Sequence, residues 1–331
     1  MDFTIEKLPK VELHVHLDCC LSYKALSKID SSISLSLFKE KFIGTSCSCL
    51  KDYIKCADNA LDFMQTKKHL EIVVEDLFDQ LKADNVIYAE VRFAPLLHIN
   101  KGLSPREVVD IISKKTKLES SKSGIEVGLI LCTLRHFSEK QSLETVNLVK
   151  VFSKSNIVGF DIAADEAGFP LDNHIKAFEY AHKNNIFCTA HAGEALGAES
   201  IIDTLKNLKP HRIGHGVRCV ENELLLEKIK NENIHLELCL TSNMVTKVFK
   251  KIKDHPVDFL FSKGISISIN TDGRTISDTT LNKEYKILNK EFKWLKNKFL
   301  EINVNSMKAS FSTNDVKERV ITKLYLSYNK K

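Results

Sequence analysis

The sequence predicts an α/β protein folded as a (β/α)8 TIM barrel, and three observations favour this fold. Eight short runs rich in β-branched residues alternate with segments of helical periodicity, which is typical of parallel strands joined by crossover helices. A chain of 331 residues is long enough for eight such units. Polar residues collect where the runs end, and barrels concentrate chemistry at the C-terminal ends of their strands. The alternative is an open doubly wound sheet, but no GxGxxG follows the first run.

The predicted strands are spread over the chain from residue 10 to residue 273. In order they are KVELHVHL (10–17), NVIYAEVRFAP (85–95), GIEVGLILCTL (124–134), NIVGFDIAADE (156–166), NIFCTAHAGE (185–194), HRIGHGV (211–217), NIHLELCLTSN (233–243) and GISISINTDG (264–273). Between them, residues 104–121 show helix-start signals, because Ser104 precedes Pro105 and Glu107 follows three residues after the serine. We expect one domain over residues 1–331.

Two additions to the barrel are predicted. Residues 22–83 form a long, mostly helical insertion after the first strand, and charged helices follow residue 278. The composition is that of a globular protein with a sizeable core, since 43% of residues are hydrophobic and 27% charged. The formal charge of +5 comes from scattered lysines, as in residues 290–300, which indicates a solvated face and no nucleic-acid partner.

The chain carries no sequence signal for secretion or membrane insertion. The N-terminal segment MDFTIEKLPK has acidic residues and lacks an apolar core, and the longest apolar run, near residues 127–134, is too short to span a bilayer. We therefore expect a soluble, cytoplasmic protein without a membrane partner; its oligomeric state has no signal in the sequence. Nine cysteines in such a setting do not suggest a disulfide framework. Cys47 and Cys49 have ligand-like spacing and Cys56 lies beyond them, but no paired CxxC or matching histidine cluster accompanies them, so we expect ordinary thiols.

Two histidines in the first strand raise the question of a metal site. His14 and His16 lie two residues apart, so on a strand their side chains project to the same side, with Cα atoms roughly 6 to 7 Å apart. Alone, the pair is equally explained by hydrogen-bonded polar residues at a barrel mouth. His191, His215 and Asp272 lie at the ends of the fifth, sixth and eighth predicted strands. With these, the set suits a divalent ion, for which Zn²⁺ is the first choice and Fe²⁺, Co²⁺ or Mn²⁺ are alternatives.

Such an ion points to hydrolysis, because it lowers the pKa of a bound water towards about 7 and supplies hydroxide. Glu194 follows His191 by three residues and is a candidate proton donor beside the metal. The alternative is that Glu194 is a solvated residue or a helix cap.

The chain resembles the adenosine deaminase family of the metal-dependent amidohydrolase superfamily. The matching segments occur in the family order over most of residues 9 to 285: PKVELHVHLD, YAEVRFAP, GFDIAADE, HAGE, RIGHG, LTSN and NTDG. The resemblance implies the same barrel, one Zn²⁺ per chain, and hydrolysis of adenosine and 2′-deoxyadenosine to inosine, 2′-deoxyinosine and ammonia in purine salvage. The expected partner is thus a small purine nucleoside. The HxE…PCxxC signature of the cytosine and polynucleotide deaminases is not complete here, because the sequence contains no PCxxC.

The resemblance also implies a role for each matching residue. The metal ligands would be His14, His16, His191 and Asp272. Glu194 would protonate the purine N1, His215 would orient the attacking water and stabilise the developing charge, and Asp272 would assist deprotonation of that water. The candidate substrate contacts are His16, Asp18, Ala164 and Gly273, with Asp18 at the ribose. Leu50, Tyr53 and Ile54, in residues 50–63, match a helical lid, although a stripe of this kind is also typical of a core.

Three positions differ from the commonest family pattern. Gly273 replaces an acidic residue that contacts purine N7, so we expect the base to lose a side-chain anchor. Ala164 replaces a glycine whose N–H reaches purine N3. Cys19 replaces a glycine near the ribose, and it would be strained if its φ were positive. These changes leave open an enzyme for another 6-aminopurine, such as adenine, an N6-substituted nucleotide or a futalosine-type nucleoside. They also leave open a non-catalytic purine-binding protein.

Overall fold

All eight predicted strands form in the computed structural model, which describes residues 4–329. They are β1 (Lys10–His16), β2 (Val86–Phe93), β3 (Glu126–Leu134), β4 (Ile157–Ala163), β5 (Thr189–Ala192), β6 (Arg212–His215), β7 (His235–Leu238) and β8 (Ile267–Ile269). Each strand pairs in parallel with its neighbour in sequence, in one group from β1 to β4 and another from β5 to β8.

Two seams close these groups into a barrel. Between β4 and β5, the N–H of Phe160 donates to the carbonyl of Phe187 at 2.9 Å. Between β8 and β1, the N–H of His16 donates to the carbonyl of Asp272 and the N–H of Asp272 donates to the carbonyl of His14, both at 3.0 Å. The predicted (β/α)8 barrel is confirmed, and its second seam fixes the backbones of three predicted metal ligands relative to one another.

Fourteen α-helices accompany the strands within residues 4–329. They are α1 (Tyr23–Ile29), α2 (Leu35–Phe42), α3 (Leu50–Leu61), α4 (Lys67–Ala83), α5 (Pro105–Ser123), α6 (Glu139–Val151), α7 (Ile175–Lys183), α8 (Ala198–Asn207), α9 (Glu223–Asn231), α10 (Leu240–Val245), α11 (Val257–Ser262), α12 (Leu281–Phe292), α13 (Lys296–Ala309) and α14 (Asn314–Tyr328). None of these helices is both long and apolar enough to cross a membrane.

The additions to the barrel lie where the sequence predicts them. Helices α1 to α4 form the insertion after β1, and α12 to α14 follow β8. Helix α5 starts with the predicted capping box, in which Ser104 and Glu107 each bond the backbone of the other, and it ends at Gly124 with a left-handed φ of 73°. Helix α13 reaches the bottom of the barrel, where Asn303 Oδ1 accepts the N–H of Val11 at 2.7 Å. The single domain over residues 1–331 stays a prediction, because residues 1–3 and 330–331 lie outside the described residues.

Strand β8 is much shorter than the run that predicts it. Asn270 directly follows β8, and its side-chain oxygen accepts the N–H of Leu13 at 2.8 Å and of His14 at 3.1 Å. The Asn270 side chain thus replaces the backbone hydrogen bonds that would continue the pairing between β8 and β1. The backbone is then free to turn, and Asp272 adopts a φ of 61°.

The inside of the barrel carries paired charges. Five charged side chains on four strands are at most 1% exposed: Glu90, Arg92, Asp161, Arg212 and Glu237. Glu237 accepts hydrogen bonds from Arg92 at 2.7 Å and from Arg212 at 2.6 Å. Buried charges are tolerated only when they are paired and hydrogen-bonded, so these side chains must assemble together when the barrel forms.

A buried carboxyl group in α12 makes the stability depend on pH. Burial raises the pKa of Glu284 from its ordinary value of 4.5 to about 7, although hydrogen bonds from Thr241 and Thr279 oppose the shift. The folded protein therefore binds more protons than the unfolded chain between these two values, and the free energy of unfolding falls as the pH rises through this range. For a pKa shift of this size, the wild type should lose roughly 3 kcal/mol of unfolding free energy over this range. Glu284→Gln should not show this loss.

Urea unfolding of the wild type and of Glu284→Gln between pH 4.5 and 8 measures the effect. The variant should gain stability relative to the wild type as the pH rises. Glu227→Gln, at an exposed position in α9, is the matched control and should follow the wild type. Parallel pH profiles for the wild type and Glu284→Gln would contradict the assignment.

Candidate active site

A cavity lies at the C-terminal ends of the strands, between the barrel and α3. The strand ends contribute His16, Ala164, His191, Glu194, His215 and Asp272, the turn after β1 contributes Asp18 and Cys19, and α3 contributes Leu50, Tyr53, Ile54, Ala57, Asp58 and Leu61. The cavity thus brings together the three predicted catalytic residues, most of the predicted substrate contacts and the predicted lid residues.

The four predicted metal ligands converge at the floor of this cavity, and His16, His191 and Asp272 line it. One donor atom from each of His14, His16, His191 and Asp272 lies within 4.8 Å of the other three. The Nε2 atom of His16 is 3.3 Å from that of His14 and 3.1 Å from that of His191, and Asp272 Oδ1 is 3.4 Å from His14 Nε2. Ligand atoms about 2.0 to 2.2 Å from a tetrahedral zinc ion would be about 3.3 to 3.6 Å apart, close to these separations.

In His14 and His191, the hydrogen bond made by Nδ1 determines that the free lone pair lies on Nε2. His14 Nδ1 lies 2.8 Å from Glu237 Oε2, and His191 Nδ1 lies 3.0 Å from the carbonyl of Ile162. Both partners accept hydrogen bonds, so Nδ1 carries the proton and Nε2 has a free lone pair. The Nε2 lone pairs of His14 and His191 face the carboxylate of Asp272. Because all of these atoms are electron-pair donors, a cation bound between them would stabilise the arrangement. The residues therefore fit a divalent metal ion.

Asp272 is held as a carboxylate. Ser242 donates to its Oδ2 at 2.6 Å, which leaves Oδ1 directed at the histidines. Burial by itself opposes ionisation, but the surrounding histidines, His14 first, outweigh it and hold the pKa of Asp272 well below its usual range. The group is therefore ionised, which is the form that can bind a cation or accept a proton.

Glu194 has the opposite electrostatic environment. Burial, followed by the negative charges of Asp272 and Glu166, raises the pKa of Glu194 well above its usual range. Its carboxyl group lies 3.4 Å from His215 Nε2 and accepts a hydrogen bond from Thr246 at 3.2 Å. Burial therefore favours the protonated form of Glu194, which is the form that a proton donor needs.

The loop that carries Glu194 is anchored by Glu166. The Glu166 carboxylate accepts the backbone N–H groups of Gly193, Glu194, Ala195 and Leu196 at 2.6 to 3.1 Å. Four charge-assisted hydrogen bonds to consecutive residues fix the backbone that follows β5. They thereby fix the direction in which Glu194 leaves the strand.

Among the predicted substrate contacts, Asp18 is held by hydrogen bonds and Ala164 has a strained backbone. Asp18 accepts the N–H of Ala94 at 3.0 Å and lies 2.7 Å from His98 Nε2, so its carboxylate is already oriented at the cavity wall. Ala164 adopts a φ of 79°, which is a left-handed conformation that favours glycine. The strain considered for Cys19 is not found, because this residue ends a 3₁₀ turn and is not among those with positive φ. The strain lies at Ala164 instead.

Tyr53 fills the space beside Gly273. Its hydroxyl accepts the N–H of Gly273 at 3.1 Å and lies 2.9 Å from Ser277 Oγ. A Cβ atom at position 273 would lie 2.4 Å from the Tyr53 oxygen and 2.9 Å from Cys19 Cβ. Position 273 therefore has no room for an acidic side chain while Tyr53 is in place. Gly273 itself is not among the residues that line the cavity.

The cysteines at the start of α3 lie beside this region. Cys47 Sγ is 3.8 Å from Cys56 Sγ, and both pack in an apolar cluster with Tyr53, whereas Cys49 is exposed. Within the described residues, the clusters of metal-binding side chains lie at the cavity and do not include these thiols.

Sequence reasoning missed several supporting residues, above all Glu237, Glu166 and the Tyr53 hydroxyl. A signal for Glu237 was present, because a charged residue inside a short apolar strand must be buried and paired. Glu166 had no such signal, since a carboxylate just after a strand is usually solvated. The pairing of Tyr53 with Gly273 joins residues 220 positions apart and requires the three-dimensional structure.

Comparison with known proteins places the chain among purine deaminases. The family model described as adenosine deaminase matches residues 9–326. The adenosine deaminase of Clostridium acetobutylicum is 34% identical over 97% of this chain and 98% of its own length. Among solved structures, the adenine deaminase of Arthrobacter aurescens has a TM-score of 0.89 at 22% identity and covers 96% of this chain and 98% of its own. The N6-methyl-AMP deaminase of Arabidopsis thaliana has a TM-score of 0.85 at 25% identity and covers 97% of both chains.

The bond between Glu237 and His14 predicts a link between metal affinity and stability. In Glu237→Gln, two buried arginines and the His14 N–H lose a shared carboxylate. The free energy of unfolding of the metal-free protein should fall by roughly 3 to 5 kcal/mol, as expected when one partner of a buried ion pair is removed. The affinity of the candidate site for a divalent metal ion should fall about 10- to 100-fold, because His14 loses its orienting partner.

Urea unfolding and a zinc titration against a chelator of known affinity measure the two effects. Glu301→Gln changes an exposed carboxylate in α13 and should alter neither quantity. Wild-type zinc affinity in Glu237→Gln would show that this bond does not orient His14.

Proposed function

The chain belongs to the adenosine deaminase family, and we propose that it is a zinc-dependent enzyme that hydrolyses adenosine and 2′-deoxyadenosine to inosine, 2′-deoxyinosine and ammonia. One observation carries the proposal. A single cavity holds a histidine and carboxylate donor set beside Glu194, a buried carboxyl group whose pKa is raised by burial. Hydrolytic deamination needs both a water nucleophile and a proton donor for the ring.

The proposed metal ligands are His14, His16, His191 and Asp272. A divalent ion bound there supplies a Lewis acid that lowers the pKa of water and makes hydroxide available near neutral pH. Three imidazoles and one carboxylate suit Zn²⁺, a borderline-soft ion, and we propose one ion per chain.

The proposed roles of the remaining groups follow from their protonation. Glu194 donates its proton to N1 of the purine, so the ring accepts electron density as oxygen attacks C6. Asp272, held as a carboxylate, accepts a proton from the attacking water. His215 donates a hydrogen bond to the attacking oxygen and stabilises its negative charge. Asp272 passes the proton it took from water to the C6 amino group, which leaves as ammonia as the C6–N bond breaks, and Glu194 recovers its proton from the C6 hydroxyl as the C6=O bond forms.

The proposed substrate contacts lie around the same cavity. Asp18 accepts a hydrogen bond from the ribose, and its charge disfavours a 5′-phosphate. The N–H of Ala164 is directed to purine N3, and His16 contributes to the wall beside the base. Helix α3, with Leu50, Tyr53 and Ile54, covers the purine. Gly273 remains the position where a side-chain contact to the base is lost.

A second candidate is an enzyme for a different 6-aminopurine. It is favoured by one observation, the Tyr53 hydroxyl that occupies the space beside Gly273 and excludes an acidic contact to the base. Adenine and N6-substituted substrates are the named substrates of two structural neighbours. A purine-binding protein without catalysis is the third candidate, and it predicts neither bound metal in stoichiometric amount nor turnover.

A substrate panel on zinc-reconstituted protein separates the three. Ammonia release should show the highest kcat/KM for adenosine and 2′-deoxyadenosine, compared with adenine, N6-methyl-AMP and a futalosine-type nucleoside. Preference for one of the last three would establish the second candidate. Protein that binds inosine but neither retains one metal ion per chain nor releases ammonia would establish the third.

Glu194→Gln tests the proton donor. The amide cannot supply a proton, so kcat should fall about 10²- to 10⁴-fold while metal content and inosine binding stay close to those of the wild type. Steady-state kinetics, metal analysis and calorimetry measure these quantities. Glu199→Gln, five residues further on and exposed, is the matched control and should retain full activity. A normal kcat in Glu194→Gln would remove Glu194 from the role.

A further inference from the structure

A chain of buried polar side chains leads from the segment before α11 to His215. Val257 N–H donates to His255 Nδ1 at 3.2 Å. His255 Nε2 lies 3.2 Å from Asn243 Oδ1, and Asn243 Nδ2 lies 3.2 Å from His215 Nδ1. Asn243 is fully buried and His255 is 2% exposed, so bulk solvent does not reach either side chain.

The direction of every hydrogen bond in this chain follows from its first member. A backbone N–H can only donate, so His255 Nδ1 must accept, and a neutral His255 then carries its proton on Nε2. Burial lowers the pKa of His255 to about 3, which keeps the ring neutral. His255 Nε2 therefore donates to Asn243, and the amide must turn its oxygen to His255 and its NH₂ group to His215.

The amide orientation in turn selects one form of His215. Asn243 donates to His215 Nδ1, so this nitrogen carries a lone pair and the proton of neutral His215 lies on Nε2. His215 Nε2 is 3.4 Å from Glu194 Oε2, at the wall of the cavity. The opposite tautomer would place two N–H groups against each other at the Asn243 contact.

We infer that His255 and Asn243 are positioning residues that hold His215 in the Nε2–H tautomer, so that it acts as a hydrogen-bond donor to the attacking oxygen. Neutral His215 in this form has no lone pair on Nε2 and cannot take a proton from water there. The inference rests on the proposed deamination for its catalytic consequence, while the tautomer itself is a property of the protein without substrate.

The first test is kinetic. His255→Leu removes the donor to Asn243, which frees the amide to rotate and His215 to change tautomer. We expect kcat to fall about 10- to 100-fold, up to the effect of losing one oxyanion donor, with KM changed less than about threefold. His255→Gln keeps an N–H that reaches Asn243 and should restore kcat to within about threefold of the wild type. A purely packing role would not separate kcat from KM or distinguish the two variants.

The second test observes the tautomer directly. Long-range ¹H–¹⁵N spectra of zinc-loaded protein labelled at histidine report which ring nitrogen carries the proton, and His215→Gln identifies the His215 signals. The wild type and His255→Gln should show Nε2–H. Asn243→Asp has only acceptors at this position, so it should shift His215 towards Nδ1–H, and it keeps the test decisive if His255→Leu does not fold.

The outcomes distinguish this inference from the proposed function. An Nε2–H signal in the wild type that changes in Asn243→Asp supports the positioning role of His255 and Asn243, even if none of the panel substrates is deaminated. An Nδ1–H signal in the wild type overturns it whatever the turnover. Equal kcat in His255→Leu and the wild type, or equal losses in His255→Leu and His255→Gln, would also overturn it.

Discussion

The carboxylate of Glu237 is the interaction on which the rest of the barrel depends. It accepts hydrogen bonds from His14 on β1, Arg92 on β2, Thr189 on β5 and Arg212 on β6. Each of these groups loses its hydration when the barrel closes, and the carboxylate compensates several of them at once. Because the strands that supply these groups are far apart in sequence, the network forms only when the whole barrel has assembled.

The same network extends from the interior to the candidate metal site. Arg92 also pairs with Asp161 at 2.9 Å, and Asp161 Oδ2 lies 3.2 Å from His191 Nδ1. Burial opposes ionisation of Asp161, but the neighbouring His191 and Arg92 lower its pKa below its usual range. His14 and His191, two of the four candidate ligands, are therefore oriented by carboxylates that also pair with the buried Arg92.

The sequence is sufficient to predict the barrel and the convergence of the candidate ligands. Alternating strand and helix patterns identify the eight units, and the rule that chemistry gathers at C-terminal strand ends joins His14, His191 and Asp272 across more than 250 residues. It is not sufficient for the substrate contacts. The sequence shows that Gly273 offers the base no side-chain anchor, but it does not show that Tyr53 fills the space beside Gly273, because this contact depends on how α3 lies over the barrel. The strain at Ala164 and its absence at Cys19 likewise depend on backbone angles that residue type alone does not determine.

Glu194 and Asp272 are both buried in one cavity, but the pKa values of their carboxyl groups shift in opposite directions because their neighbours differ. Burial disfavours the charge of both. Asp272 is compensated by the histidines around it and ionises, and its charge then adds to the burial of Glu194 and favours the protonated form there. The acid and the base of the proposed reaction are therefore assigned by their neighbours and not by their residue type. Glu166 adds a second negative charge near Glu194 while it anchors the loop by backbone N–H groups, so one side chain both positions the proton donor and helps to keep it protonated.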